Sequence, residues 1–153
     1  MLILMNASVI YASLTGNNEE VAEIVVQQLK DKGLDPELTE ISQADAEDLE
    51  DDDLIVIVPY TDGEGELPDE GMDFYEDIQD LDLTGKVFGV TGSGDTFYGD
   101  DYCKAVTYFD KQIAGTGATR GAEPLFINLQ ADDEDKKHLD AFTDALLKAS
   151  NAA

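Results

Sequence analysis

Three short segments of the sequence carry the small, polar and aromatic residues from which ligand-binding sites are commonly built. The first, Ser13–Glu19 (SLTGNNE), combines hydroxyl and amide side chains with one glycine and leads into a predicted helix. Such a segment can direct backbone N–H groups and short donors at a phosphate, helped by the positive end of the helix. It contains no Lys or Arg and lacks the GxxxxGKS/T spacing of a nucleoside-triphosphate loop. We therefore expect neutral donors to hold a phosphate here, although the segment alone would also suit an ordinary helix N-cap.

The other two segments are longer and suit a planar ligand. Pro59–Pro68 (PYTDGEGELP) is too polar and glycine-rich for a helix and too long for a tight turn, which favours a binding loop. Gly92–Cys103 (GSGDTFYGDDYC) joins small residues, which let a ligand approach the backbone, to aromatic residues that can stack on a ring. Either segment alone could be a simple connector. Together with the first segment, they indicate a site for a ligand that has both a phosphate and a ring.

These segments lie between predicted strands and helices that alternate along the chain. Apolar runs predict five strands, at Ser8–Tyr11 within Ala7–Ala12, Leu34–Ile41, Leu54–Val58, Lys86–Val90 and Glu123–Leu129. Helical periodicity predicts helices at Glu19–Lys32, Phe74–Asp80, Asp101–Ala114 and Asp133–Ala149, with an acidic turn over Ser42–Asp53. Pro36 confines the second strand to an edge or an irregular position.

The alternation predicts an α/β fold with a doubly wound, five-stranded parallel sheet and helices on both faces. In such sheets ligands bind beyond the carboxyl ends of the strands, so the three segments would converge at one edge of the sheet. A chain of 153 residues corresponds to a single domain over residues 1–153, because domains usually contain roughly 100–200 residues.

The composition excludes several classes of function. Nine Lys and Arg residues stand against 35 Asp and Glu residues, which gives a net charge of −26. That charge repels phosphate backbones and anionic lipid, so binding to nucleic acid or to a membrane surface is disfavoured. Since 42% of the residues are hydrophobic and fall in discrete runs, we expect a folded core beneath an acidic surface.

The cysteine and histidine content points to a reducing compartment and to no metal site. Cys103 and His138 are single residues of their type, too few for an internal disulfide or for the usual Cys/His zinc site. The apolar opening Met1–Met5 has no basic flank and is too short for a signal peptide. We expect the protein to be cytoplasmic.

The three segments, taken together, resemble those of the flavodoxins, a family of small electron carriers that bind flavin mononucleotide (FMN). The resemblance extends from Ser8 to Ala149 and rests on VIYASLTGN, YTDGEGELPDE and, most specifically, GSGDTFYGDDYC. No insertion splits the predicted fifth strand, which makes the chain similar to the short-chain branch of that family. The resemblance implies the flavodoxin-like fold and FMN as the cofactor.

The resemblance also assigns candidate FMN-binding residues. It implies that the first segment holds the phosphate, that the second and third flank the flavin, and that Tyr98 stacks on the ring. The full candidate set is Ser13, Leu14, Thr15, Gly16, Asn17, Asn18, Pro59, Tyr60, Thr61, Asp62, Gly63, Ser93, Gly94, Asp95, Tyr98, Tyr102 and Cys103. Tyr102 would equally suit the helix–sheet core, as would Tyr108 and Phe109, and Cys103 would suit a small packing position. No catalytic residue is implied.

Two residues depart from the family pattern. Asn18 stands where the family normally has Thr, which replaces a hydroxyl donor with an amide that can still donate. Asp62 stands where the members most similar in this segment usually carry Trp, and the chain contains no Trp. Loss of one aromatic stack would weaken binding by about 1–3 kcal/mol, or roughly 5- to 150-fold, if stacking on nucleobases is a fair guide.

The function implied by the resemblance is low-potential electron transfer through FMN, in one-electron steps, between redox partner proteins. No Lys or Arg accompanies the 18 acidic residues of Glu40–Asp82, and this surface would steer basic patches on partners such as a flavodoxin or ferredoxin reductase or a ferredoxin-type oxidoreductase. We expect a monomer. The alternatives are a flavin-dependent reductase or a ribonucleotide-reductase-activating flavoprotein of the same fold, a phosphoacceptor signalling domain, and a non-flavin interaction module.

Overall fold

The computed structural model describes residues 6–12, 17–59, 69–94, 104–128 and 132–152. Strands and helices alternate along these residues, as the sequence predicts. The strands are β1 (Ala7–Tyr11), β2 (Glu37–Glu40), β3 (Leu54–Val58), β4 (Val87–Gly94), β5 (Thr119–Arg120) and β6 (Leu125–Asn128). The helices are α1 (Asn17–Asp31), α2 (Asp69–Ile78), α3 (Lys104–Ala114) and α4 (Asp133–Ala152).

The strands form one parallel sheet in the order β2-β1-β3-β4, and both β5 and β6 pair with β4 at the next position. β5 pairs with the amino half of β4 and β6 with its carboxyl half, so the two short strands share one place in the sheet. The sheet therefore has five strand positions, which confirms the predicted fold class.

The fifth strand position differs from its prediction as one strand over Glu123–Leu129. Arg120 pairs with Phe88 and Leu125 pairs with Thr91, so five residue steps on this side match three on β4. The additional residues lie in the interruption 121–124, where Gly121 N donates to the Phe88 carbonyl oxygen at 2.9 Å. Pro124 has no N–H to donate, and the ladder resumes at the next residue.

Several other boundaries also differ from the prediction, including those of β2, which covers Glu37–Glu40 instead of Leu34–Ile41. β4 continues four residues beyond Val90, because β6 pairs with residues 91–94 along this stretch. α2 begins at Asp69, five residues before the predicted Phe74. The predicted acidic turn over Ser42–Asp53 contains 3-10 helices at Ile41–Gln43 and Ala46–Asp51, the second capped by the Asp45 side chain, which accepts from Glu47 N at 3.1 Å.

Two hydrophobic clusters cover the two faces of the sheet. On one face, α1 and α4 pack over strand residues that include Val9, Leu54, Val56 and Ile127. On the other face, α2, α3 and the 3-10 helices pack over strand residues that include Ile10, Ile55, Ile57 and Phe88. β3, which is buried at all five residues, contributes to both clusters. Burial on both faces explains why its sequence is uninterrupted by polar residues.

Candidate cofactor-binding site

The carboxyl ends of β1 and β3 lie side by side at one edge of the sheet. Tyr11 pairs with Val58 in the parallel register, and Ala12 N donates to the Val58 carbonyl oxygen at 2.9 Å. Pro59, which follows directly, is buried. The first two predicted binding segments therefore leave the sheet from neighbouring strands.

The carboxyl half of β4 extends the same edge. Ile57 pairs with Val90, and the four residues that follow Val90 remain in the strand, paired with β6. Ser93 and Gly94 are thus the last two residues of a strand, whereas the sequence analysis placed them in a loop that began at Gly92. This location is a correction. It puts the start of the third predicted segment on a hydrogen-bonded strand instead of a connector.

The helices that follow β1 and β3 pack on opposite faces of the sheet. β1 is followed by α1, which packs on one face, and β3 is followed by α2, which packs on the other. Strands whose connections diverge in this way leave a crevice between their carboxyl ends, and this is where ligands of doubly wound sheets bind. The amino end of α1, at Asn17, faces the same edge and contributes the N–H groups and positive dipole end that attract anions.

The candidate residues divide between described and undescribed parts of the chain. Asn17 and Asn18 are the first residues of α1, Pro59 follows β3, and Ser93 and Gly94 end β4. The remaining candidates lie outside the described residues: Ser13, Leu14, Thr15, Gly16, Tyr60, Thr61, Asp62, Gly63, Asp95, Tyr98, Tyr102 and Cys103. The structure thus brings together the strand and helix ends from which all three segments depart, and the roles of the individual side chains stay predictions.

Contacts between α2 and α3 fix the helices that follow the second and third segments. Gln112 Nε2 on α3 donates to the carbonyl oxygen of Tyr75 on α2 at 3.0 Å. The ring of Phe109 lies edge-on to Tyr75, with centroids 5.3 Å apart, and 6.4 Å from the ring of Phe74. Phe109 is buried, as the core alternative for this residue predicts, whereas Tyr108 is 37% exposed. These contacts hold the two helices in one arrangement below the site.

Helix α1 is joined to α4 by polar contacts on the other face. Lys32 Nζ lies 2.6 Å from an Asp140 carboxylate oxygen and 3.6 Å from Asp144. Gln28 Nε2 donates to the Lys136 carbonyl oxygen at 3.0 Å. The helix whose amino end faces the candidate phosphate site is therefore fixed along its carboxyl half.

Carboxylates dominate the electrostatics beside β1. Burial raises the pKa of the Tyr11 phenol, and the charges of Glu19, Glu40 and Glu23 raise that pKa further. These three carboxylates disfavour any further negative charge at the end of β1. A phosphate at this edge would thus depend on the neutral donors of the first segment and on the amino end of α1.

Two residues beside the site escaped the sequence analysis. Thr91 is fully buried, and its Oγ1 donates to the Leu125 carbonyl oxygen at 2.9 Å, which fastens β6 to β4. Phe126 on β6 is 44% exposed. The available signals were the position of Phe126 within a predicted strand and of Thr91 directly after one. Such local patterns indicate strands but not the pairing between them.

Metal and membrane features are absent from the part of the chain that the structure describes. No group of three or more His, Cys, Asp or Glu residues among residues 6–12, 17–59, 69–94, 104–128 and 132–152 is arranged to hold a metal ion. No helix in these ranges is long and apolar enough to cross a membrane. The side chain of His138 is 56% exposed and lies 3.7 Å from Glu134.

Comparison with known proteins gives a consistent result. The family model described as Flavodoxin matches residues 9–142. A protein of Bacillus subtilis (strain 168) described as probable flavodoxin 1 is 36% identical over 145 residues, covering 94% of this chain and 91% of its own length. The sulfite reductase flavoprotein alpha-component of Mannheimia succiniciproducens is 31% identical over 97% of this chain, which corresponds to 24% of that larger protein.

Solved structures show the same relationship. A short-chain flavodoxin associated with a non-canonical PDU bacterial microcompartment has a TM-score of 0.94 and 46% identity, covering 96% of this chain and 99% of that one. The Streptococcus pneumonia TIGR4 flavodoxin has a TM-score of 0.90 and 48% identity, covering 94% and 98% of the two chains.

Proposed function

This chain belongs to the flavodoxin family, whose members are FMN-dependent electron carriers and not enzymes, and we propose that it passes single electrons, at low potential, between redox proteins. The relatives confirm the predicted short-chain type, the carrier function and FMN as the cofactor. We further propose that residues 1–153 form one domain, since both hydrophobic clusters pack on the faces of a single sheet. We also propose that the protein is a monomer, because a net charge of −26 opposes self-association.

The observation that carries the proposal is that three strands end at one edge of the sheet, beside the crevice between the carboxyl ends of β1 and β3. β1, β3 and β4 end at one edge, and the three segments that resemble the FMN-binding segments of flavodoxins follow these strands in the sequence. The donor set fits the cofactor. Neutral hydroxyls, amides and the amino end of α1 suit a phosphate, while segments rich in Gly and Tyr suit a flat ring.

The residues proposed to hold FMN fall into three groups with different tasks. Ser13, Thr15, Gly16, Asn17 and Asn18 bind the phosphate through neutral donors. Tyr60, Thr61, Asp62 and Gly63 flank one side of the flavin, and Ser93, Gly94, Asp95 and Tyr98 flank the other. When bound, FMN supplies the redox chemistry, and the chain binds it, orients it and surrounds it with negative charge. That charge opposes the addition of electrons and lowers the potential.

The acidic surface supports a further proposal about partners. Flavodoxins work with redox partner proteins, and the 18 acidic residues of Glu40–Asp82 here would attract partners with basic docking faces. We propose a flavodoxin or ferredoxin reductase, or a ferredoxin-type oxidoreductase, as the class of partner. The sulfite reductase relative is a flavoprotein that includes a region similar to this chain within a larger protein, which supports a link to such reductases. The single cysteine favours the cytoplasm as the location.

A titration of the apoprotein with FMN tests the proposal. We expect binding with 1:1 stoichiometry, much weaker binding of riboflavin, which lacks the phosphate, and two resolved one-electron steps in a potentiometric titration. Absence of FMN binding would contradict the proposed function and favour an interaction module. Binding followed by a single two-electron step would favour a flavin-dependent reductase.

A further inference from the structure

One aromatic side chain lies exposed on a strand next to the proposed flavin site. Phe126 is 44% exposed, the largest exposed fraction of any large hydrophobic residue in the part of the chain that the structure describes. It lies on β6, the edge strand paired with the carboxyl half of β4. The eight residues between Glu123 and Asp132 carry no charge, although 29% of the chain is charged. This uncharged stretch of sequence contrasts with the acidic composition of the rest of the chain.

The fold explains why Phe126 belongs to neither hydrophobic cluster of the core. Ile127 is fully buried on the face that α4 covers, and alternation along the strand turns Phe126 toward the opposite face. On that face its partner across the ladder is Gly92, which has no side chain. The ion pair between Arg120 and Asp110 ties α3 to this edge nearer the amino end of β4. Phe126 therefore lies nearer the carboxyl end of β4 than the point at which this ion pair joins α3 to the sheet.

The position of Phe126 places it close to the electron-transfer site. Ile127 pairs with Ser93 and Asn128 pairs with Gly94, and both Ser93 and Gly94 are proposed to flank the flavin. With strands about 4.8 Å apart and about 3.3 Å per residue, the backbone of Phe126 lies about 8 Å from that of Gly94. A protein that touched this ring would be in contact with the edge of the sheet where electrons enter and leave.

We propose that Phe126 is the apolar anchor of the docking surface for the redox partner, a basic protein that presents an apolar side chain beside its positive patch. This inference rests on the proposed function. The centres of protein interfaces are depleted of charge and enriched in aromatic residues, whereas their rims are polar. The uncharged segment around Phe126 has the composition of an interface centre, and the acidic surface has that of a polar rim. A second copy of this chain is the less suitable occupant, because each copy carries a net charge of −26.

The two contributions have different kinetic signatures. Acidic residues steer the approach of a basic partner, so their effect falls as salt screens it. An apolar anchor acts after contact, slows dissociation and keeps its effect at high salt. High ionic strength therefore isolates the contribution of Phe126.

The test compares Phe126→Ser with Leu38→Ser. Leu38 is the matched control because it is 38% exposed and lies on β2, at the opposite edge of the same sheet. The probe is a basic NADPH-dependent flavodoxin reductase, and the measurement is the Kd of its complex with FMN-loaded protein by calorimetry at 0.3 M NaCl, without NADPH. We expect Kd to rise about 10-fold for Phe126→Ser, less than 2-fold for Leu38→Ser, and less than 3-fold for Phe126→Leu, which keeps an apolar side chain.

The controls separate this inference from its structural alternative and from the proposed function. An aromatic side chain opposite a strand glycine can also stabilise the sheet by covering the glycine. Equal Kd values for Phe126→Ser and Leu38→Ser would overturn the inference, and loss of stability toward urea without a change in Kd would assign Phe126 that packing role. FMN affinity of the wild type is measured first, and its absence would contradict the proposed function. With FMN affinity intact in all variants, the Kd values report on docking alone.

Discussion

Arg120 donates two hydrogen bonds to Asp110, from Nε to Oδ1 at 2.9 Å and from Nη2 to Oδ2 at 2.6 Å. The pair joins β5 to α3, and the guanidinium also lies 5.8 Å from the centre of the Phe88 ring. Asp110 is buried, so removing its partner leaves a carboxylate without charge compensation. We expect Arg120→Ala to lower the free energy of unfolding by about 1–2 kcal/mol, the lower part of the usual range because Arg120 is partly exposed.

Urea unfolding measures this effect without adding salt. Lys111→Ala is the control, since Lys111 is an exposed cation on α3 and its removal changes the net charge by the same amount. The loss of unfolding free energy for Arg120→Lys should lie between those of Arg120→Ala and Lys111→Ala, because lysine keeps the charge but cannot make both hydrogen bonds. Equal losses for Arg120→Ala and Lys111→Ala would show that net charge, and not the paired geometry, determines the effect.

A buried carboxyl at the amino end of β3, away from the candidate site, should make stability depend on pH. Burial raises the pKa of Asp52, while a hydrogen bond from Ser8 offsets part of this effect. Asp52 lines a cavity of about 320 Å³ with Asp48, Asp51, Glu37 and other residues. A carboxyl whose pKa is higher in the folded state binds its proton more tightly when folded, so its contribution to stability grows as pH falls from neutral toward about 4.

The substitution Asp52→Asn removes this ionisation and keeps an oxygen that can accept from Ser8. Its amide N–H groups also face carboxylates that line the same cavity. We expect the variant to be more stable than the wild type at pH 7, on the order of 1 kcal/mol, with an advantage that shrinks toward pH 4. Glu50→Gln, at an exposed residue of the same 3-10 helix that does not line the cavity, controls for the change in net charge. A difference between these two variants that stayed constant with pH would contradict the assignment to Asp52.

The sequence predicted the fold well where one type of pattern dominated a segment. Leu54–Val58 was predicted with its observed bounds, because a strand buried on both faces needs an uninterrupted apolar run. β4 was predicted to end too early, because Gly92 and Gly94 are typical of loops and only pairing with β6 keeps them in a strand. The interruption at 121–124 depends on the same long-range pairing, which a local pattern does not contain.

The candidate site was predictable as a location more than as a set of contacts. The order of strands and helices places the three segments at one edge, and the observed register of β1, β3 and β4 agrees with this. Phe126 was not predicted, because its exposure results from alternation along β6 combined with a glycine on the neighbouring strand. Such exposure is a property of the assembled sheet and not of the residues around position 126.

Close packing of α4 on the sheet requires a glycine at position 89. A Cβ added to Gly89 would lie 2.7 Å from Phe142 Cζ and 2.8 Å from Leu146 Cδ2, both in the buried core. We expect Gly89→Ala to lower the free energy of unfolding by about 1–3 kcal/mol, because the two side chains must move. At Gly115 the nearest atom would be 3.4 Å away, so Gly115→Ala should be neutral or stabilising by up to about 1 kcal/mol. Thermal unfolding of both variants provides the comparison, and similar losses would mean that α4 can shift freely.

The acidic residue in the second segment should weaken FMN binding. The resemblance to flavodoxins implies an aromatic residue at the position of Asp62. We expect Asp62→Trp to tighten FMN binding by roughly 5- to 150-fold, the value of one aromatic stack. Asp62→Asn separates the ring from the charge, since it removes the carboxylate without adding an aromatic side chain. Fluorescence titration of the apoproteins gives the three Kd values, and equal affinities for the Trp and Asn variants would show that charge repulsion alone accounts for the difference.

The uncompensated charge of Glu40–Asp82 should make electron transfer sensitive to salt. Its 18 carboxylates attract a basic reductase over a distance that screening reduces from about 10 Å at 0.1 M salt to about 3 Å at 1 M. We expect the second-order rate constant for reduction by such a partner, measured by stopped flow, to fall about 10-fold or more across this range. An uncharged quinone used as an electron acceptor is the control, because its rate has no long-range electrostatic component. A reductase rate constant that stayed constant or rose steadily with salt would show that the acidic surface plays no part in docking. A rate constant that fell to a finite plateau would mean that uncharged contacts, such as that proposed for Phe126, account for the remaining rate.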